Sequence, residues 1–238
     1  SEKQSSVNVY FTVDLEQDCP PYLETFRGVL EGMPRLLELL EEEDVQGTVF
    51  TTGAVATEFP EVVSRVLASG HELACHGHTH RSFAKMDERT ARRELEDSTA
   101  ALRQFDVIRS FRAPYLQFPD RYLRLLEDQG FTLDSSEAKY KLGYYARSTP
   151  TTLVRVPASV TSSVLRLPAW VRDRWLRALS EPVVLFVHPW EFVDLTKTKL
   201  RWDCRFNTGN VALDRLRSTL RLFKTSHASF KKMGEFVD

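Results

Sequence analysis

Two groups of chemistry-bearing side chains lie in the first third of the chain. Asp14, Glu16 and Asp18 occupy alternate positions after a short apolar run, and Cys75-His76-Gly77-His78-Thr79-His80 places three of the six histidines within five positions. Alternate residues of an extended segment share one face, so two of the three carboxylates can meet one ligand. If the histidine segment turns helically, His76 and His80 share a face at i, i+4 while His78 points elsewhere. Two imidazoles and one carboxylate leave open positions on a divalent ion for water and a carbonyl oxygen, and a second carboxylate beside them can take the water's proton. Each group taken alone has a plainer reading. Histidines cap helices or bond within a core, and acids after a strand form Asx turns or solvated loops. Their co-occurrence favours a metal centre.

Three later segments add polar groups at similar punctuation points: Arg112-Ala113-Pro114-Tyr115, Asp134-Ser135-Ser136, and Leu185-Phe186-Val187-His188-Pro189-Trp190-Glu191. Alone, Arg112 reads as a surface charge and Asp134 as a turn former. His188 emerges from an apolar run, where a histidine is either satisfied core polarity or a proton donor. Trp190 and Glu191 are candidates to line a sugar pocket, with core packing as the other reading of Trp190.

The elements that must hold these residues follow from apolar periodicity. Short apolar runs predict strands over 7–13, 48–51, 71–75, 108–111, 131–133 and 182–187, and amphipathic spacing predicts helices over 28–44, 60–68, 87–105, 119–128, 168–180 and 212–223. Segment 137–150 has no regular pattern and reads as a surface excursion. Leu165, Leu167, Trp170 and Trp175 fall at helical spacing, which favours packing over a substrate lip. Alternating strands and helices imply an α/β fold, a sheet of seven or eight mostly parallel strands, open or closed into a distorted barrel. Both forms gather chemistry at strand C-terminal ends, where Asp14, His76, Arg112 and His188 all fall.

The 238 residues are 42% hydrophobic and carry 32 Lys plus Arg against 33 Asp plus Glu, a net charge of -1. No basic field, basic run or nucleic-acid motif accompanies them, so nucleic acid is not an expected partner. Three cysteines with no CxxC argue against a disulfide framework or thiolate zinc site and suit a reducing compartment. With no leader visible at the polar start and no run of roughly 20 apolar residues, the expectation is a cytoplasmic protein without a membrane span. Without repeats or linkers, 1–238 reads as a single domain, and nothing speaks for or against a homo-oligomer.

The five motifs together resemble the NodB-homology polysaccharide deacetylases, carbohydrate esterase family four, across nearly the whole chain. Phe11-Thr12-Val13-Asp14-Leu15-Glu16 resembles the first motif, His76-Gly77-His78-Thr79-His80 the histidine motif and Arg112-Ala113-Pro114-Tyr115 the third. Asp134-Ser135-Ser136 and Leu185 to Glu191 resemble the fourth and fifth. The resemblance implies a distorted (β/α) barrel and metal-dependent N-deacetylation of an amino sugar, with zinc as the default ion and cobalt, nickel or iron acceptable. It makes Asp14 the general base, His76 and His80 metal ligands, and Glu16 the third ligand with Asp18 as competitor. Arg112 would hold Asp14, the backbone N–H of Tyr115 would serve the oxyanion, and His188 would be the general acid oriented by Asp134. Many members carry two adjacent aspartates, whereas Leu15 stands at the second place here, closer to a D-x-E branch linked to exopolysaccharide synthesis. Deformylation, opening of a cyclic amide, and a catalytically silent sugar-binding domain are the alternative functions.

Overall fold

The computed structural model describes residues 6–146 and 149–238. Its hub is β1 (Asn8–Leu15), which pairs in parallel with β2 (Thr48–Thr51) and, at its start, with β8 (Ser229–Lys231). β3 (Glu72–Cys75), β4 (Ser110–Phe111), β5 (Leu133–Asp134) and β6 (Val154–Arg155) extend the sheet beyond β2, and β7 (Val183–Val187) flanks β1 on the other side. The order is β6-β5-β4-β3-β2-β1-β7, every pair parallel. The sheet curls until its ends meet. Ser159, just past β6, donates its N–H to the Val184 carbonyl at 2.9 Å, and the Val184 N–H donates to Ser159 Oγ at 2.8 Å. This is the distorted barrel expected from the sequence.

Strand periodicity sorts the residues between two faces. Val9, Phe11, Val13 and Leu15 point outward into an apolar layer with Leu36 and Leu40 of α1 (Met33–Glu42) and Leu216 and Leu220 of α8 (Asn210–Thr225). Tyr10 points inward to Phe50, Ala74, Leu133, Val184 and Met233, which plug the lower barrel. Burying each such large side chain contributes roughly 1.5–3 kcal/mol. Going up the lumen, Thr12 and Arg112 follow, then Asp14 and His76. Leu15 is fully buried on the outward face. The D-x-E spacing therefore keeps both acids on the lumen side.

The predicted helix over 28–44 begins as a π-helical turn, Gly28–Gly32, before α1. A side chain at Gly28 or Gly32 would run into the backbone of Trp190 or Pro189, so the glycines let this turn close against the segment after β7. α3 (Pro60–Ala68) matches its prediction, α4 (Glu88–Leu102) starts at the Asp87 cap, and α5 (Leu123–Asp128) is shorter than expected. α2 (Gly53–Glu58), capped by Thr52, was not visible in the periodicity because it spans under two turns. In α6 (Ala169–Arg177) the inward residues are Arg172 and Leu176, whereas Trp170 is 81% and Trp175 48% exposed. The packing expectation fails for both tryptophans. Arg172 takes the inner position because its guanidinium donates to the Arg215 carbonyl and Ser218 Oγ of α8. The excursion after β5 is anchored by a parallel bridge between Ala138 and Ala158, while residues 147 and 148 lie outside the described residues. No helix among the described residues is long and apolar enough to cross a membrane.

Candidate active site

At the top of the barrel, Glu16 faces both histidines named from the sequence. Its Oε2 lies 3.0 Å from His76 Nε2 and 2.6 Å from His80 Nε2, and all three side chains are buried. These contacts are hydrogen bonds or ion pairs as they stand, and the three donor atoms, within 4.8 Å of one another, are close enough to share one metal ion. His76 Nδ1 is fixed by the Arg112 carbonyl at 2.7 Å, so its Nε2 must face the centre. His80 Nδ1 is buried without a hydrogen-bond partner. The donor set suits a borderline divalent ion. Burial alone would raise the Glu16 carboxyl, but the His80 and His188 charges and hydrogen bonds from His76 and His80 hold it well below the usual carboxylate range. Burial likewise opposes a charged His76, and the Asp14 and Glu16 carboxylates outweigh it, raising its pKa.

The histidines converge without a helix. Segment 76–80 is a loop in which Gly77 and His80 have φ of 73° and 59°. The His76 N–H donates to the Thr51 carbonyl, and buried Glu94 of α4 accepts from the backbone N–H of His78 and Thr79 at 3.0 and 3.1 Å and from Thr79 Oγ1. Sequence reasoning missed Glu94. The available signal was a carboxylate inside the inward stripe formed by Ala91, Leu95 and Ser98. Asp18 leaves the cluster. It accepts from Thr25 Oγ1 and from the N–H groups of Arg27 and Gly28 at 2.7 to 2.8 Å, so it caps the π-helical turn.

Asp14 has two differently occupied oxygens. Oδ1 accepts from Arg112 Nη1 at 2.9 Å, while Oδ2 lies 4.0 Å from His76 Nε2 and 3.9 Å from His188 Nε2. Arg112 is fully buried between the rings of Phe50 and Phe186, and it also donates to Thr12 Oγ1, the Ser135 carbonyl and Ser135 Oγ. Such a guanidinium has no freedom to release Asp14. Tyr115 sits in a turn with φ of 62° and lays its ring edge-on to His80, 4.8 Å between centroids.

His188 joins the centre with Nε2 3.8 Å from Glu16 Oε1. The expectation that Asp134 orients it is corrected. His188 Nδ1 lies 3.0 Å from Glu191 Oε2, which also accepts the His188 N–H at 2.7 Å, while Glu191 Oε1 faces buried Arg166 Nε at 2.7 Å. Asp134 instead accepts from Ser136 Oγ at 2.6 Å and Arg155 Nε at 3.0 Å, and Ser136 Oγ in turn accepts the Ala113 N–H. Its partners are on the β4, β5 and β6 side of the barrel, so it supports the arginine–tyrosine turn. Burial raises its pKa, with the Arg155 charge and the Ser136 hydrogen bond opposing. Burial disfavours a charged His188, yet Glu16, the Glu191 hydrogen bond and Asp14 push it up to about 9. Trp190 is buried, stacked on His188 at 4.8 Å with Nε1 directed to Glu16 Oε1 at 3.3 Å. It packs behind His188 and Glu16 as a buried residue.

Comparison with known proteins agrees with this fold. A chitooligosaccharide deacetylase from Sinorhizobium fredii is 32% identical over 100 residues, 41% of this chain and 46% of its own length, so the match spans about half of that curated relative. Among solved structures, a putative polysaccharide deacetylase from Mycobacterium smegmatis superposes with a TM-score of 0.70 at 24% identity, covering 97% of this chain and 88% of that one. A CE4 family pseudoenzyme from Bacillus anthracis gives 0.67 at 16%, covering 98% and 66%. The sequence profile described as "Polysaccharide deacetylase" matches residues 3–133, more than half the chain. The chain belongs to the polysaccharide deacetylase family, the NodB-homology group of carbohydrate esterase family four.

Proposed function

We propose that the chain is one catalytic domain, 1–238, that hydrolyses the N-acetyl group of an amino sugar in a polysaccharide, lipid-linked sugar or nucleotide sugar. The observation that carries this reading is the lumen-top arrangement: Glu16 between His76 and His80, with Asp14 Oδ2 and His188 Nε2 flanking the same space. Glu16, His76 and His80 would hold a divalent ion, zinc by default and cobalt, nickel or iron by the same donors. When bound, it supplies Lewis-acid polarisation of the amide carbonyl and acidifies water.

The residues of this chain divide the remaining work. With Oδ1 locked on Arg112, Asp14 presents Oδ2 to take a proton from the attacking water as its oxygen bonds to the carbonyl carbon. The backbone N–H of Tyr115 donates to the oxygen of the tetrahedral species. His188, its Nδ1 held by Glu191, gives the Nε2 proton to the nitrogen as the C–N bond breaks, leaving acetate and the free amine. A cavity of about 790 Å³ beside the turn, walled by Leu116, Phe118, Ser136 and Arg155, falls within the ~300–1,000 Å³ of small-ligand sites and suits the rest of a glycan.

The family fold alone does not decide activity, since a pseudoenzyme shares it. The full set of acid, base and ligand residues favours turnover over a silent sugar-binding domain. The three free cysteines are the ground for a cytoplasmic placement. Metal-loaded protein should release acetate from at least one member of a panel of N-acetylated polymers, lipid-linked sugars and nucleotide sugars. Formate release or ring opening from matched substrates would transfer the reading to the alternative amide hydrolyses, and sugar binding without any product would establish the silent domain.

A further inference from the structure

Two consecutive residues of the arginine–tyrosine turn have left-handed backbones, Tyr115 at φ 62° and Leu116 at φ 50°. For L-residues this conformation is strained, so surrounding contacts must enforce it. One side chain reaches both. Lys141 Nζ donates to the Tyr115 carbonyl at 2.7 Å and to the Leu116 carbonyl at 2.9 Å. On the other side of the turn, the Ala113 N–H is held by Ser136 Oγ at 2.8 Å. The Tyr115 N–H lies in the chain between these two anchors.

Lys141 is itself well placed to hold. It belongs to the excursion after β5, where the Lys139 N–H donates to the Ala158 carbonyl and Lys139 Nζ to the Ser180 and Pro182 carbonyls. The Lys141 N–H closes a turn onto the Ala138 carbonyl at 3.1 Å. Lys141 is half-buried, and its ammonium is a charged donor, stronger on a carbonyl than a neutral one. The Lys141 ammonium thus bridges two successive carbonyls of the turn.

We propose that Lys141 is a positioning residue for the deacetylation. It fixes the Tyr115–Leu116 turn so that the Tyr115 N–H points where oxyanion charge develops. The inference rests on the proposed deacetylase reading and adds a residue outside the five motifs.

Lys141→Met, which keeps length and removes the donor, tests it against Lys141→Arg, which keeps a cation with several N–H groups. One oxyanion donor is typically worth ~10²- to 10³-fold in kcat. Lys141→Met should therefore lower kcat on the order of 10- to 100-fold with KM nearly unchanged, and Lys141→Arg should recover much of the loss. Hydrogen exchange provides a readout that needs no turnover: peptides over 113–117 should exchange faster in Lys141→Met, while peptides over 76–80 stay as in the wild type. Wild-type exchange over 113–117 would overturn the inference whether or not a substrate has been found. So would a loss confined to KM, which would make Lys141 a substrate contact. If wild-type protein turns over none of the panel while exchange behaves as expected, the deacetylase reading fails and the clamp stands. Should Lys141→Met not fold, Lys141→Gln, which keeps a shorter donor, is expected to show the same pattern more weakly, and its absence would sink the proposal.

Discussion

Two carboxylates at the top of the barrel each bind histidine, and their surroundings differ. Glu16 is shared by His76 and His80 through one oxygen, and no arginine or lysine among the described residues pairs with it. Glu191 meets a single imidazole with one oxygen and the buried guanidinium of Arg166 with the other. A buried charge needs a partner. Arg166 satisfies Glu191 in advance, so His188 is left to hold or give a proton. Glu16 has imidazoles, which can be neutral, and the uncharged indole N–H of Trp190, so the first cluster gains most from an added cation. On the proposed reading, the same residue types would serve as metal ligands or as a proton donor according to what stands behind the carboxylate.

The largest effect should come from removing the shared ligands. A His76→Ala, His80→Ala double variant should lose its ion by elemental analysis and activity by more than about 10³-fold, since no donor set remains for the Lewis acid. Equal metal in variant and wild type would break the comparison at its first member. Glu16→Ala should lower metal affinity, whereas Asp14→Asn should retain metal and lose turnover by ~10²- to 10⁴-fold. Exchanged outcomes in a metal titration would swap the two acids.

Next comes the proton donor. His188→Ala should keep its metal and lose kcat by a similar ~10²- to 10⁴-fold, with the deficit shrinking for amides whose leaving amine is less basic. A deficit constant across that series would leave His188 as a pocket residue.

A smaller effect separates Glu191 from Asp134. Contacts that orient a functional imidazole are typically worth ~10- to 100-fold, which is the loss expected for Glu191→Gln. Glu191 also raises the His188 pKa, so its replacement should move the basic limb of kcat/KM to lower pH, while Asp134→Asn should leave that limb in place. A limb moved by Asp134→Asn and untouched by Glu191→Gln would restore the original assignment. The sign for folding is the same: a group raised from 6.5 to about 9 contributes stability that is full below pH 6.5 and lost as pH rises through 9. A cation on Glu16 weakens the field that raises His188, so an NMR titration should place His188 lower in loaded than in stripped protein.

The smallest effect belongs to Asp18, the carboxylate that turned away from the centre. Asp18→Ala removes an acceptor of three hydrogen bonds and should cost about 1–3 kcal/mol, a Tm decrease of roughly 2–12 °C. Its metal affinity should match the wild type. A drop in metal affinity would return Asp18 to the ligand question.

What the sequence by itself determined was local. Period-two strands placed Asp14 and Glu16 on one face and Leu15 on the other, and apolar runs ending in His76, Arg112 and His188 marked the strand ends where a parallel sheet gathers chemistry. β5 was foreshadowed by the apolar run 131–133, whereas β6, two residues long, leaves no such trace, and the excursion that carries Lys141 has no period at all. Which acid meets which cation was decided by tertiary structure. Asp134 ends β5 and Glu191 lies three residues past His188 in a local turn; both are buried acids, but only the curled sheet brings Arg155 to Asp134 and Arg166 to Glu191. The exposed tryptophans of α6 and the capping position of Asp18 have the same origin. A helical or strand pattern fixes which residues share a face, while the neighbouring element decides whether that face meets a core, a guanidinium or water.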